Sequence, residues 1–306
     1  MRIKKITMIK FIISFHLYLY IIYKLEHNKI CLCTIAKNEN KYILQFIEHY
    51  KKYGVDKIFL YDNNDINGEN FDFLSEINQN SFIEIINYRG KKTPQLNAYN
   101  NCYTRNFNKY KWLIFFDVDE YIFLKRYTNI KDFLSEPKFI KCKSIYLNWL
   151  IHTDNDLIFY DNRTLSQRFP KAIADPNFCI GKSIIRGNLK ITINSCHLLD
   201  VKLKRCDSFG HYFTPNITSC KTPDYIYNYI DHYKFKSLEE FIDKIKFKLD
   251  CLLENTENLK IRKINNYFKQ NKVNLEKINF ISKALNINAT YLKSRLNIKS
   301  NFSRFK

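Results

Sequence analysis

The chain has 306 residues, 45% of them hydrophobic and 16% aromatic, which excludes a disordered chain and suffices for one large domain with an appendage. Its net charge of +20 sits mostly at the two ends. Residues 1–30 carry six Lys/Arg against one Glu and residues 234–306 carry seventeen against seven Asp/Glu, leaving only +5 for residues 31–233. That distribution argues against a nucleic-acid binder along its whole length.

At the N-terminus, Arg2, Lys4, Lys5 and Lys10 precede the apolar run "FIISFHLYLYIIY" (11–23). As a helix thirteen residues rise ~20 Å, short of a ~30 Å hydrocarbon core, but extension back to Ile6 adds a further turn and a half. The expectation is a signal-anchor over residues 1–29 with its basic end cytoplasmic, hence a single-pass type II membrane protein of the secretory type if eukaryotic. The alternative is an amphipathic or buried leader of a cytoplasmic, membrane-associated protein. Sequons at Asn162, Asn216, Asn288 and Asn301 support a lumenal location only weakly in so Asn-rich a chain.

From residue 30 the pattern alternates. "ICLCTI" (30–35), "KIFLY" (57–61), "FIEII" (82–86) and "WLIFF" (112–116) read as strands. Between them lie helical stretches marked by Ile43, Phe46, Ile47 and Tyr50, by Phe71, Phe73, Leu74 and Ile77, and by the segment Asn97–Tyr110. This rhythm predicts an α/β domain over 30–233, with a mostly parallel sheet covered on both faces and ligands bound beyond the carboxyl ends of its strands. No G-x-G-x-x-G or Walker A motif follows any strand, which weighs against dinucleotide or P-loop binding. The nine cysteines include no C-x-x-C, so a zinc ribbon is excluded, and their pairing is left open.

Residues 234–306 read as a basic helical extension. No Gly or Pro interrupts them, Ser237 and Glu240 form a capping box, and Leu238, Phe241, Ile242, Ile245 and Leu249 keep helical spacing.

The chemistry centres on "WLIFFDVDEYIF" (112–123), an apolar strand that ends in Asp117, Asp119 and Glu120. Carboxylates so close raise one another's pKa unless a positive charge joins them. A divalent cation, Mn²⁺ or Mg²⁺, meets that need and can hold a diphosphate. A solvated turn is the plainer alternative.

Four stretches, "IAKNENKYILQFIEHYKKYGVDKIFLYDN" (35–63), "QLNAYNNC" (95–102), "WLIFFDVDEYI" (112–122) and "HYKFKSLEEFIDK" (232–244), resemble the family 92 glycosyltransferases and related family 2-like enzymes. The resemblance implies a GT-A fold, Rossmann-like with helices on both faces. It implies metal-dependent transfer of a hexose, galactose-like, from a UDP-sugar to a glycan or other hydroxyl acceptor, with inversion. Asp117 and Asp119 would then hold the metal. Lys37, Asn38, Glu39, Asp62 and Asn63 would line the nucleotide pocket, with Gln95 and Asn101 beside the donor. His197 and His232 are candidates for a further metal ligand, and Lys182 for contact with the departing diphosphate. Asp154 and Asp156 are candidates for the base, and Trp149 for a face against a sugar. Glu120 would orient the aspartates or touch the sugar. Where the family has a small, Gly/Ser-rich stretch after the Trp, "HTDND" (152–156) stands here, which puts the acceptor pocket in question.

Two other functions compete. "NLEKINFISKALNINATYLKSRLNI" (274–298) has the look of a helix-turn-helix, the mark of a nucleic-acid-binding regulator, though its apolar residues also suit a small helical bundle. A non-catalytic sugar-binding relative is the other, against which the intact aspartates weigh. Nucleic acid is not the favoured partner.

Overall fold

The alternating pattern folds into β1 (Ile30–Ala36), α1 (Asn40–Lys52), β2 (Lys57–Asp62), α2 (Phe73–Ile77), β3 (Ile83–Asn87), α3 (Pro94–Asn106), β4 (Trp112–Phe115) and β5 (Glu120–Leu124). The structure, a computed structural model, describes residues 28–77, 81–91, 94–175, 179–213, 223–250 and 256–296. The apolar run at 11–23 and the sequons at Asn216 and Asn301 lie outside these residues. Among the described residues no helix is long and apolar enough to cross a membrane.

Chain order continues through α4 (Ile130–Leu134), β6 (Ser144–His152), α5 (Leu165–Arg168), β7 (Ala172–Ile173), β8 (Gly181–Arg186), β9 (Arg205–Cys206), β10 (Tyr212–Phe213) and β11 (Asn228–His232). The described residues group into two units. One takes in those up to Trp149 and those from Cys179 to Ile230, and the other takes in Leu150–Asp175 and those from Asp231 onward.

In the first unit the sheet runs β10-β9-β6-β8-β4-β1-β2-β3. Strands β3, β2, β1 and β4 are mutually parallel, and β8 then enters antiparallel between β4 and β6. This is the GT-A arrangement expected from the sequence. Parallel strands are buried on both faces, and β1 obeys the rule, with Ile30, Cys31, Leu32 and Cys33 at most 1% exposed. Helix α1 turns Tyr42, Ile43, Phe46, Ile47 and Tyr50 inward, the helical spacing read from sequence. Disulfide Cys33–Cys102 ties β1 to α3, and Cys142–Cys206 ties the segment before β6 to β9. Cys31 and Cys196 form no disulfide among the described residues.

The second unit is built on helices α6 (Leu238–Asp250), α7 (Thr256–Phe268), α8 (Leu275–Leu285) and α9 (Ala289–Arg295). The capping box at α6 forms, with Ser237 N donating to Glu240 Oε2 at 3.1 Å and Glu240 N to Ser237 Oγ at 3.4 Å. Glu240 also receives Arg168 Nη2, and both side chains are buried or nearly so. Lys277 on α8, wholly buried, pairs with Asp154 at 2.6 Å and Asp156 at 2.9 Å. Ile278, Ile281, Leu285 and Leu292 are buried too, so the helix-turn-helix-like segment uses its apolar residues as a bundle does. Lys283, Lys293 and Arg295 remain exposed.

Candidate active site

Phe115 and Phe116 are wholly buried, and the chain then turns through Asp117, Val118 and Asp119 into β5. Gln95 and Tyr99 lie one helical turn apart on α3, and Gln95 Nε2 and Tyr99 OH both donate to Asp117 Oδ1 at 2.9 Å. From β8, Lys182 Nζ donates to Asp117 Oδ2, also at 2.9 Å. Lys182 follows Gly181, where a Cβ would stand 1.9 Å from Leu147 O, so only glycine lets β8 approach β6 this closely.

Glu120 folds back on the same turn. Its Oε2 accepts Asp117 N at 2.9 Å, while Oε1 makes no hydrogen bond among the described residues and lies 3.6 Å from Lys182 Nζ. Tyr50 on α1 pins the strand beyond it, donating to Glu120 O at 2.7 Å and accepting from Ile122 N at 3.2 Å. Desolvation pushes the Glu120 carboxyl well above the usual range; Lys182 pulls it down, and Asp117 and Asp119 push it further up. Burial also penalises the Lys182 ammonium, but Asp117 and Glu120 outweigh that and hold it well above the ordinary lysine range. Burial, with Asp117 adding to it, raises Tyr99, which keeps that phenol a donor.

Asp119 is 7% exposed, and one of its carboxylate oxygens lies within 4.8 Å of one from Glu120. Asp117 and Glu120 thus share one ammonium, Lys182, with the Asp119 carboxylate beside that of Glu120. Hard oxygen donors gathered in this way fit a divalent cation. Lys182, expected from sequence at a diphosphate, pairs with Asp117. Glu120, expected among the catalytic groups, is fully buried and holds the turn through the Asp117 amide.

The neighbouring strand ends form a second cluster. Asp62, buried at the end of β2, accepts Asn64 N at 2.9 Å, so its carboxylate closes the turn of "DNN", and Arg89 Nε lies 3.9 Å away. Arg89 gathers the rest of the loop by donating to the carbonyls of Asp65, Gly68 and Glu69. Asn63 N bonds Ala36 O at 2.9 Å, and Asn63 Oδ1 is buried with no hydrogen-bond partner among the described residues. Lys37 Nζ pairs with Asp65 at 2.7 Å. Asn38, exposed, takes a left-handed φ of 57° and donates its backbone N–H to Asn64 Oδ1 at 2.8 Å. It stands one residue too early to cap α1, whose N-cap is Glu39. Asn101 Oδ1 accepts Tyr61 OH at 2.7 Å.

His197 and the supposed base are held by partners of their own. His197 Nδ1 lies 2.9 Å from Gly181 O, with its ring edge-on to Trp149 at 5.1 Å. Trp149 is 8% exposed, so its indole offers little open face to a sugar. His232 closes β11 and, like Asp154 and Asp156, belongs to the second unit. Asp154 is 1% exposed and takes Tyr267 OH and Lys277 Nζ on the same oxygen, Oδ2. A carboxylate so buried and so engaged acts as a structural brace. Tyr50 was read from sequence only as a helix-face residue, and Tyr99 was not singled out; its signal was the i,i+4 spacing from Gln95 in "QLNAY".

The profile of glycosyltransferase family 92 matches residues 28–272, a span that includes every site residue above. The chain belongs to glycosyltransferase family 92. Family 92 proteins of Ricinus communis and Arabidopsis thaliana are each 30% identical, over 112 and 98 residues, or 35% and 31% of this chain. The aligned stretches cover 18% and 16% of those proteins, so the chain spans a small part of the length of the relatives it matches. Among solved structures, residues 1–349 of S. aureus TarS in complex with UDP align over 88% of this family 92 chain and 83% of that one. That alignment has 13% identity and a TM-score of 0.38.

Proposed function

We propose that this family 92 chain transfers a hexose, galactose-like, from a UDP-sugar to a hydroxyl acceptor such as a glycan, with inversion and with a divalent cation. The observation that carries the reading is the Asp117–Asp119–Glu120 turn, whose carboxylates gather beside Lys182 at the end of a buried strand. Asp119 and Asp117 would hold Mn²⁺ or Mg²⁺, with Glu120 beside them; when bound, the ion supplies charge to a diphosphate leaving group.

The chain's own residues do the positioning. Gln95, Tyr99 and Lys182 fix both oxygens of Asp117, and the Glu120–Asp117 amide bond fixes the turn. Lys182 keeps the carboxylates from repelling one another before a donor arrives. The unpartnered Asn63 Oδ1, near Asp62 and Lys37, supports these strand ends as the nucleotide side. We further propose attachment to a membrane through residues 1–29.

UDP with Mn²⁺ tests the reading. A ligand at about 100 times its Kd stabilises by roughly 2.7 kcal/mol, a rise of a few degrees in melting temperature. Asp119→Asn should melt like the parent without ligand and lose this rise. No stabilisation of the parent by UDP with Mn²⁺ would end the donor assignment.

A further inference from the structure

A lysine stands at the start of five strands of the first unit. Lys29 precedes β1, Lys57 opens β2, and Lys111, Lys143 and Lys204 precede β4, β6 and β9. Strand register puts all five at one edge of the sheet, through the pairs Cys31↔Lys57, Ile30↔Trp112, Trp112↔Arg186, Ser144↔Ile185 and Ser144↔Arg205. At about 4.8 Å per strand the row crosses roughly 24 Å. Lys29, Lys143 and Lys204 are exposed, and Lys57 and Lys111 are half-buried.

Little opposes this charge. Asp56, the acid at the start of β2, is taken by Lys131 at 2.6 Å and by Ile30 N at 2.7 Å. Beside Lys143 stand exposed Lys141 and Ile140, the latter 75% exposed, and Arg186 Nη2 holds the Phe139 and Ile140 carbonyls at 2.9 and 3.3 Å. The candidate active site occupies the other edge, beyond β1, β2 and β4 and at the head of β8.

The chain also enters here. Asn28, the first described residue, accepts Lys111 Nζ at 2.7 Å at this edge, and the residues before it in sequence hold the basic and apolar runs of 2–23.

We infer that this lysine edge, with Ile140, docks the first unit on an anionic phospholipid bilayer. The row matches a negative surface in charge, Ile140 can enter the headgroup region, and the preceding apolar run reaches the edge by covalent continuity. Docking turns the carboxylate site away from the bilayer, toward soluble donor. The inference deepens the membrane attachment proposed above and rests on it for the tether.

The full chain is mixed with vesicles of phosphatidylcholine alone, or containing about a quarter phosphatidylglycerol, and sedimented. The parent should partition about ten-fold more strongly onto the anionic vesicles at low salt, and less so as salt rises. Lys29→Glu/Lys143→Glu/Lys204→Glu should fall to the level of neutral vesicles with its stabilisation by UDP and Mn²⁺ unchanged. Retention of the ten-fold preference would overturn the inference and move the contact elsewhere, for instance to Lys283, Lys293 and Arg295. Loss of binding to a soluble acidic polysaccharide, with vesicle binding kept, would also overturn it. Should the triple variant fold poorly, Ile140→Trp gives a second reading: blue-shifted emission on anionic vesicles supports docking, and no shift contradicts it. Binding to neutral vesicles reports the tether separately, so its absence would end the attachment reading while the preference still decides the edge.

Discussion

Lys182 Nζ sits 2.9 Å from Asp117 Oδ2 with 1% of its side chain exposed, so the carboxylate turn carries a built-in cation. Removing one partner of a buried pair typically costs about 3–5 kcal/mol, because the other charge is left uncompensated. Lys182→Met should therefore lower the melting temperature of the ion-free protein, and Mn²⁺ should recover more stability in the variant than it adds to the parent. An equal Mn²⁺ effect in both proteins would show that the ammonium and the ion do not share the same carboxylates.

Glu120 gives a pH signature. Its folded pKa is raised, chiefly by burial, so the folded chain binds that proton more tightly than the unfolded chain does. This contribution favours folding below the ordinary glutamate pKa of about 4.3 and is lost as pH rises through the higher folded value. Lys182 is held above its ordinary range and stays charged throughout. Glu120→Gln keeps an acceptor for the Asp117 amide and removes the titration. Its melting temperature relative to the parent should climb as pH rises above the ordinary glutamate range, without metal. A flat difference would contradict the buried carboxyl.

Asp154 and Lys277 test the acceptor side. Lys277→Met should destabilise by about 3 kcal/mol through the buried Asp154 left behind. Asp154→Asn should lower stability yet retain donor hydrolysis and transfer per folded molecule. A fall in transfer of a thousand-fold or more, with the fold intact, would restore Asp154 as the base.

The disulfides close spans of 69 and 64 residues in sequence. Constraining loops of that size is worth about 4 kcal/mol each in the chain-entropy account. Reductant should lower the melting temperature by several degrees, and mass mapping without reduction should find Cys33 joined to Cys102 and Cys142 to Cys206.

Much of this fold was legible in the chain, because short apolar runs alternated with helical spacing and no rival pattern competed. The strands at 30–35, 57–61, 82–86 and 112–116 appear with small shifts of their ends, and the Ser237–Glu240 box caps its helix. The antiparallel return of β8 was not foreseen, since strand order depends on contacts far apart in sequence. For the same reason the partners of Asp117 stayed hidden: Lys182 is 65 positions away and meets it only when β8 lies beside β4. Asp154 looked like a base because it follows Trp149 in a polar loop, and its partners Tyr267 and Lys277 lie more than a hundred residues on. Asp62 was expected at the nucleotide pocket, and the Asn64 N–H it accepts, which closes its turn, depends on a local backbone geometry that the residue types alone do not fix.

The central claim is that the Asp117–Asp119–Glu120 turn serves nucleotide-sugar chemistry with a divalent cation. A panel of nucleotide sugars, incubated with the full chain and Mn²⁺ and read by release of free nucleotide, tests it most directly. The account predicts that a UDP-hexose is hydrolysed, that chelation stops the release, and that Asp119→Asn abolishes it. Release at the parent's rate from Asp119→Asn, or in the presence of chelator, would contradict it.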